Sequence, residues 1–418
     1  MQNLFKKLKI KRRAIATLAA VHFYGNPSAK LKIVGVTGTN GKTTTATLLY
    51  RIATELGYKA GLIGTVENII AGEKIASNDN APQTTPDPIF LNKLLSQMVD
   101  KGCVYVFMEV SSHAMDQNRV AGVNFVGGIF TNLTHDHLDY HKSMENYFNA
   151  KKKFFKMLPI NTFALSNIDD EHGVLMLKDI RAHKYSYGFK DHENFHGHIN
   201  KLDFSGLDLS IHDSSDGLVT VNTKLLGKFN AYNILAVWSA CKLLGFDMQK
   251  VNKILENIKP PSSRFEYFTS TNGVLGVVDY AHTPDALQNV ILTAKEIVPS
   301  GGRVISVFGC SGDKDPFKRP IMGKIGASLS DIAIFTSDNP RSEDPATVLE
   351  AMKPGLSLEE LQKIKIIVDR DEAISEVGKI AIKNDIVLLM GKGHETYQDI
   401  GGKKYPWNEM EKLKKALE

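Results

Sequence analysis

The segment Gly35-Val-Thr-Gly38-Thr-Asn-Gly41-Lys42-Thr43-Thr44 limits what this chain can fold into more than any other. Glycines let backbone amides converge on phosphate oxygens, and a following helix N-terminus adds a favourable dipole. Such a loop needs a strand before it and a helix after it. Both are legible: Leu31 to Thr37 is an apolar strand, and Thr43 to Leu56 carries apolar residues at helical spacing, with Gly57 suited to its C-terminal end. Lys42 supplies a point positive charge and Thr43 a hydroxyl for magnesium. The usual spacing has a glycine five positions before Gly41, where Val36 stands; the glycines fall at 35 and 38 instead. Nucleotide binding by Gly38, Thr39, Asn40, Gly41, Lys42, Thr43 and Thr44 is expected.

Strand-like runs alternate with helical patterns beyond the loop: Val104 to Val110, Val123 to Phe130 and Phe163 to Asn167. That alternation predicts a mostly parallel sheet flanked by helices. From Lys184 to Val221 short alternating stretches read as an antiparallel flap, and Asn233 to Leu244 as a helix ended by Gly245. Lys259-Pro-Pro-Ser-Ser263 is the best linker, because two prolines break both helix and ladder. A second series follows at Gly273 to Asp279, Arg303 to Phe308, Asp331 to Thr336, Lys365 to Val368 and Ile386 to Met390. The expected architecture is α/β. It has a basic helical segment (1–31), a central P-loop ATPase domain (32–261) and a smaller Rossmann-like C-terminal domain (262–418), the last two meeting at a cleft.

Composition narrows the function classes. The net charge of +5 over 418 residues is far from the density of a nucleic-acid coat. Three dispersed cysteines, Cys103, Cys241 and Cys310, argue against a disulfide scaffold or zinc ribbon and suit a reducing cytoplasm. Lys6, Lys7, Lys9, Lys11, Arg12 and Arg13 before the run Ala14 to Ala20 imitate a signal peptide, but the run is too short to span a membrane. A basic helix packed on the first domain is expected, with weak membrane-surface contact as the alternative.

Two further segments carry chemistry at carboxyl ends of strands, where open α/β sheets hold their sites. Glu109 follows the apolar run Val104 to Met108, and a carboxylate there is costly to bury without a cation. The plain alternative is a carboxylate reaching solvent at a strand edge. Thr131-Asn-Leu-Thr-His135-Asp136-His137-Leu-Asp139-Tyr-His141 follows the next strand and is dense in ligand types, although some of them suit helix capping equally well.

Together these segments resemble the Mur ligases, in particular the subgroup that adds the third residue of the peptidoglycan peptide, the UDP-N-acetylmuramoyl-tripeptide synthetases. The motifs are GVTGTNGKTTT (35–45), TTPD (84–87), EVSSHAMDQNRV (109–120), FTNLTHDHLDYH (130–141), YFNAKKKFF (147–155), GKFNAYN (227–233), DYAHTPDAL (279–287), GCSGDKDPFKRP (309–320), DNPR (338–341) and GKGHE (391–395). The resemblance implies ATP-dependent amide bond formation on a UDP-MurNAc dipeptide in the cytoplasm, by a monomer acting on small molecules.

It also implies roles. Thr43 and Glu109 would serve a first magnesium; His137 and Lys151, the latter carboxylated by CO2, would serve a second. A free ammonium would repel a metal, whereas a carbamate is an oxygen ligand. Lys151 also opens a Lys-Lys-Lys run that could be a solvated helix face. Thr84, Thr85, Ser111, Gln117 and Arg119 match positions that hold the sugar-peptide. Asn230, Arg264, Asp279, Tyr280 and His282 match ATP contacts, some reached on closure. Asp338, Asn339, Pro340, Arg341, Gly391 and Glu395, with Lys314, match the amino-acid site, where Arg341 would pair with the far carboxylate that meso-diaminopimelate has and lysine lacks. A turn after the Asp331 to Thr336 strand is the plain alternative for Asp338 to Arg341.

Departures from the family are Ser263, where glycine is usual before Arg264, and Lys314, where arginine is common. The stretch before Lys32 is too short for the α/β domain that grips UDP in the family, so the expectation is a chain lacking that domain and holding the uridine differently. Two other readings stay open: a ligase adding lysine or another amino acid to a γ-glutamyl acceptor, as in folylpolyglutamate synthases, and a non-catalytic precursor-binding partner.

Overall fold

The computed structural model describes residues 17–75, 83–190, 194–203, 206–214, 217–262 and 264–418. The basic run Lys6 to Arg13 and Ser263 lie outside the described residues. Two compact units are distinguished, the first built mainly from residues up to Lys259 and the second from Pro260 onward.

The first unit is organised by an eleven-stranded sheet. Its strands are β1 (Lys32–Thr37), β2 (Ala60–Ile63), β3 (Asn68–Ile70), β4 (Glu73–Ile75), β5 (Tyr105–Glu109), β6 (Phe125–Phe130), β7 (Phe163–Asn167), β8 (His183–Gly188), β9 (Phe195–Asp203), β10 (Gly206–Asp213) and β11 (Gly217–Thr223), in the order β11-β10-β9-β8-β7-β6-β1-β5-β2-β3-β4. β1 is buried except at Lys32 and runs parallel to β5 on one side and β6 on the other. The register pairs Val36 with Glu109 and Thr37 with Phe130, so three carboxyl ends lie side by side. β2 joins the other side of β5, with Ile63 opposite Met108. β8 runs parallel to both β7 and β9, so the antiparallel flap expected from Lys184 begins only beyond β9, and β10 pairs antiparallel with β11. The short helix Gly173–Leu177 lies between β7 and β8 in the chain and supplies the crossover that a parallel return needs.

Helix Met144–Met157 is fixed by aromatic contact with glycines. A Cβ on Gly35 would come within 2.5 Å of the Phe154 ring, and one on Gly128 within 2.8 Å. Only bare backbone on β1 and β6 lets that ring reach the sheet, where it is wholly buried. Losing a buried phenylalanine typically costs about 3–5 kcal/mol. Lys151, three residues earlier on the same face, is thereby aimed at the loop after β1.

The second unit has a six-stranded sheet ordered β12-β13-β17-β14-β15-β16: β12 (Glu266–Thr269), β13 (Leu275–Asp279), β14 (Val304–Phe308), β15 (Ile332–Phe335), β16 (Ile364–Ile366) and β17 (Ile386–Met390). All neighbours are parallel except the edge pair β12–β13. β13, β14 and β17 are buried throughout, which explains their unbroken apolar runs. The hairpin β18 (Tyr397–Ile400) and β19 (Lys403–Pro406) follows. Among the described residues no helix is long and apolar enough to cross a membrane.

Candidate functional site

The loop after β1 enters helix Lys42–Glu55 through Gly41, whose φ of 83° lies in the left-handed region. A Cβ on Gly38 would lie 1.9 Å from the Thr131 hydroxyl, so the loop tolerates no side chain there. Thr131 Oγ1 donates to the Asn40 carbonyl at 2.6 Å, and Asn40 N–H donates to Asn132 Oδ1 at 2.9 Å. The segment after β6 therefore holds the loop in shape. Thr39 Oγ1 lies 3.2 Å from the Tyr147 hydroxyl, and Thr44 is buried. Lys42 Nζ donates back to the carbonyls of Gly38 (3.0 Å) and Thr39 (2.7 Å). Asn230 is buried and accepts from Asn233, whose Oδ1 would meet a Cβ on Gly41 at 2.5 Å.

Glu109 is 1% exposed and excludes the solvent-edge alternative. Its Oε2 accepts from the Thr43 hydroxyl at 3.1 Å and from Thr65 Oγ1 at 3.1 Å, while Oε1 accepts from Thr65 N–H at 2.8 Å. A Cβ on Gly64 would sit 2.6 Å from Oε1. Gly64 and Thr65 escaped the sequence reading. The four-residue strand before them, Ala60–Ile63, was their signal, a short apolar run ending beside β5.

Lys151 is buried, and among the described residues it forms no ion pair. Nζ donates to the Gly38 carbonyl at 2.5 Å and lies 4.5 Å from the Tyr147 ring centroid. Burial, then the charge of Lys42, pushes its pKa well below the ordinary lysine value. Lys152 is also buried, its amine capped by the carbonyls of Leu175, Met176 and Lys178, so the lysine run is not a solvated helix face. Lys153 does reach solvent. His137 adopts φ 55°, with its ring beside His113 (centroids 4.8 Å) and Tyr147 (6.2 Å), and is half-exposed. His141 is buried against the Ser112 hydroxyl at 2.9 Å, and burial, then His113, lowers its pKa to about 4.

The residues expected to hold the sugar-peptide form one network. Thr84 Oγ1 lies 3.0 Å from Thr65 Oγ1, which is itself bonded to Glu109. Thr85 Oγ1 donates to the Glu109 carbonyl at 2.8 Å and accepts from Ser111 N–H at 3.0 Å. Arg119 donates to Gln117 Oε1 from Nε (3.1 Å) and Nη2 (2.9 Å), and to the Thr85 carbonyl from Nη1 (2.7 Å).

The second unit gathers the remaining set in two groups. Asp279 is buried, with one carboxylate oxygen accepting from Phe265 N–H and the other from Ala281 N–H, both at 2.7 Å. Burial raises its pKa against the charge of Arg264 and these amides. The Arg264 guanidinium lies 5.3 Å from the Tyr280 ring, which packs on His282 and His394. Gly391 N–H donates to the Asp279 carbonyl at 3.2 Å, linking this group to the next.

There Asn339 donates to Glu395 Oε2 at 2.7 Å, and Lys392 Nζ donates to Asn339 Oδ1 (2.9 Å) and Glu395 Oε2 (3.1 Å), with Asp338 Oδ1 3.9 Å away. Asp338 Oδ2 accepts from the Ser311 hydroxyl at 2.7 Å. Burial, then Asp338, raises the pKa of Glu395. Pro340 presses its carbonyl against Gly312, where a Cβ would fall at 1.9 Å. Arg341 has φ 54°, pairs its backbone with the hairpin at Ile400, and has a buried Nε with no hydrogen-bond partner among the described residues. Lys392, Ser311 and the buried Arg319, bidentate to Glu343 at 2.8 and 2.9 Å, were not singled out from sequence. Lys314 is exposed and, among the described residues, has no hydrogen bond or ion pair to this group.

Comparisons with known proteins agree with this geometry. Residues 36–241 match the Mur ligase middle domain and residues 263–393 the Mur ligase glutamate ligase domain. The UDP-N-acetylmuramoyl-L-alanyl-D-glutamate–2,6-diaminopimelate ligase of Bacteroides fragilis is 48% identical over 96% of this chain and 80% of its own length. The protein of the same name from Clostridium botulinum is 42% identical over 98% of this chain and 83% of its own length. A solved structure of a ligase with that name is 32% identical, with a TM-score of 0.65 over 93% of this chain and 78% of that one. Folylpolyglutamate synthase of Mycobacterium tuberculosis, at 16% identity and a TM-score of 0.71 over 90% of this chain, shares the fold alone. Two matched domains in order and close relatives along nearly the whole length make the assignment plain: the chain belongs to the Mur ligase family.

Proposed function

We propose that the chain is an ATP-dependent ligase of peptidoglycan precursor synthesis that joins meso-diaminopimelate to the D-glutamyl carboxylate of UDP-MurNAc-L-Ala-D-Glu. The observation that carries the choice of amino acid is Arg341, whose buried Nε has no hydrogen-bond partner among the described residues, beside the interlocked Asp338, Asn339, Lys392 and Glu395. A planar fork suits a carboxylate, and the acidic groups suit an ammonium. An amino acid with a zwitterionic far end answers both.

The substrate carboxylate attacks the γ-phosphorus of ATP and ADP leaves; the amine then attacks the acyl phosphate, loses a proton and expels phosphate. Lys42 and the amides of Gly38 to Thr44 hold the phosphates, and Arg119 with Thr84, Thr85, Ser111 and Gln117 holds the peptide carboxylate and amides. Asn230, Arg264, Asp279 and His282 take the nucleotide side.

Magnesium is a hard cation that takes oxygen ligands, and the paired Thr43 hydroxyl and buried Glu109 carboxylate fit it. It would neutralise charge on the transferring phosphoryl group. Lys151 fits a second cation only as a carbamate, with His137 as its companion. Full burial of an amine facing a carbonyl and a ring supports that modification, since the uncharged amine is the form that attacks CO2. The reaction belongs in the cytoplasm, where ATP and nucleotide-linked precursors are found, and the enzyme acts as a monomer.

The test is phosphate release from ATP with UDP-MurNAc-L-Ala-D-Glu and either meso-diaminopimelate or L-lysine. Turnover with meso-diaminopimelate alone is expected. Turnover with lysine alone would overturn the Arg341 argument, and turnover with neither would overturn the function.

A further inference from the structure

Arg370 and Glu409 form an ion pair with no exposed side-chain surface on either partner. Arg370 Nε lies 3.1 and 3.3 Å from the two Glu409 oxygens, and Nη2 also donates to Glu409. Burying such a pair is a poor way to gain stability, because desolvation offsets much of the attraction. The guanidinium does something else with its remaining donors. Nη1 donates to the Ser337 carbonyl at 3.4 Å and Nη2 to the Met390 carbonyl at 3.1 Å. Ser337 immediately precedes Asp338 to Arg341, and Met390 immediately precedes Gly391 to Glu395.

The two loops leave β15 and β17, which are not neighbours in the sheet, since β14 lies between them. The ladders through β14 space the strands as far as Phe335 and Leu389, but no direct β15–β17 ladder carries that spacing into the loops beyond. A planar fork with fixed donor directions can do so, and a lysine ammonium cannot span both carbonyls in the same way. Glu409 holds the fork from the other side and accepts from Trp407 Nε1 at 2.5 Å, tying it to the helix Glu409–Leu417.

We propose that Arg370, anchored by Glu409, is a positioning residue that fixes the spacing of the Asp338–Arg341 and Gly391–Glu395 loops and so sets how tightly the amino acid is held. The inference rests on the reading that these loops take the amino acid. Arg370 makes no contact with the reacting atoms; it acts through the two backbones.

The test is the double variant Arg370→Met/Glu409→Gln, which removes both charges while the amide oxygen introduced at position 409 can still accept from Trp407. With the buried charges gone together the protein should fold. A displaced grip should then raise KM for meso-diaminopimelate about tenfold, with KM for ATP within about twofold. Amide exchange in residues 337–341 and 391–395 of the free protein should quicken. Wild-type KM for the amino acid with unchanged exchange would overturn the proposal. So would KM values for amino acid and ATP rising together, the mark of general loosening. Arg370→Lys, which retains the charge pair, carries the same expectations if the double variant does not fold. A wild-type protein inactive with any amino acid would sink the functional reading, whereas the exchange measurement on free protein tests the spacing regardless.

Discussion

The Thr43 hydroxyl points at Glu109 across 3.1 Å, joining the first turn of the nucleotide-loop helix to the end of the neighbouring strand. One oxygen comes from a helix N-terminus and the other from a buried strand-end carboxylate, and on the proposed reading they would fill two of magnesium's six oxygen positions. Glu109→Gln keeps the shape and removes the charge. Its kcat should fall by about 10²-fold or more, in line with the loss of one charge-stabilising group. Phosphate release measured against magnesium concentration, with melting temperature as the control for folding, checks this. A variant with wild-type magnesium dependence would refute the ligand role.

Lys151→Ala should be nearly inactive yet folded, and short carboxylates supplied in solution should restore part of the rate by occupying the vacated space. Depleting CO2 from wild type should lower activity reversibly. An Ala variant of full activity, or one that carboxylates leave unchanged, would show that no carbamate is used.

Arg341→Lys replaces a fork with a point charge at a residue of left-handed backbone. KM for meso-diaminopimelate should rise by about 10–100-fold, the range for losing a charge-assisted pair, while any slow turnover of lysine stays as it was. Parallel loss with both amino acids would mean that Arg341 supports the loop and does not read the far carboxylate.

Acid should destabilise both units. His141 in the first and His394 in the second have folded pKa values of about 4, lowered chiefly by burial. Each is neutral when folded and takes up a proton on unfolding below its ordinary value near 6.5, so stability is intact above about pH 6.5 and is lost as pH falls toward 4. For the buried His141 the loss reaches about 3 kcal/mol at most. Urea unfolding of His141→Gln, which keeps a partner for Ser112, should be flatter over that window than wild type. An identical slope would assign the acid sensitivity elsewhere.

The nucleotide loop, Glu109 and the Asp338–Arg341 and Gly391–Glu395 loops were legible because each follows an apolar strand and concentrates polar types in a short span. Strand boundaries moved by a residue or two, as at β6, which begins at Phe125 where Val123 was expected. What stayed hidden is set by adjacency in space. Gly64 and Thr65 follow a four-residue strand that looks trivial until β2 is placed beside β5, where the Thr65 amide reaches Glu109. Lys152 reads as a solvated member of a lysine run, but carbonyls from the following helix cap its amine. Lys392 is a cation inside a recognised motif, and only burial between Asn339 and Glu395 distinguishes it from a surface lysine.

The order of strands around β1 has a consequence for biosynthesis. β1 carries the nucleotide loop, yet its two neighbours are β5 and β6. At ordinary elongation rates of about 5–20 residues per second, β5 follows β1 by about 70 residues, so the nascent strand waits roughly 4–14 s with both edges unpaired. Throughout that interval Ile33, Val34 and Val36 lack the strand partners they have in the folded sheet, so the strand ends that flank the nucleotide loop come together only late in synthesis.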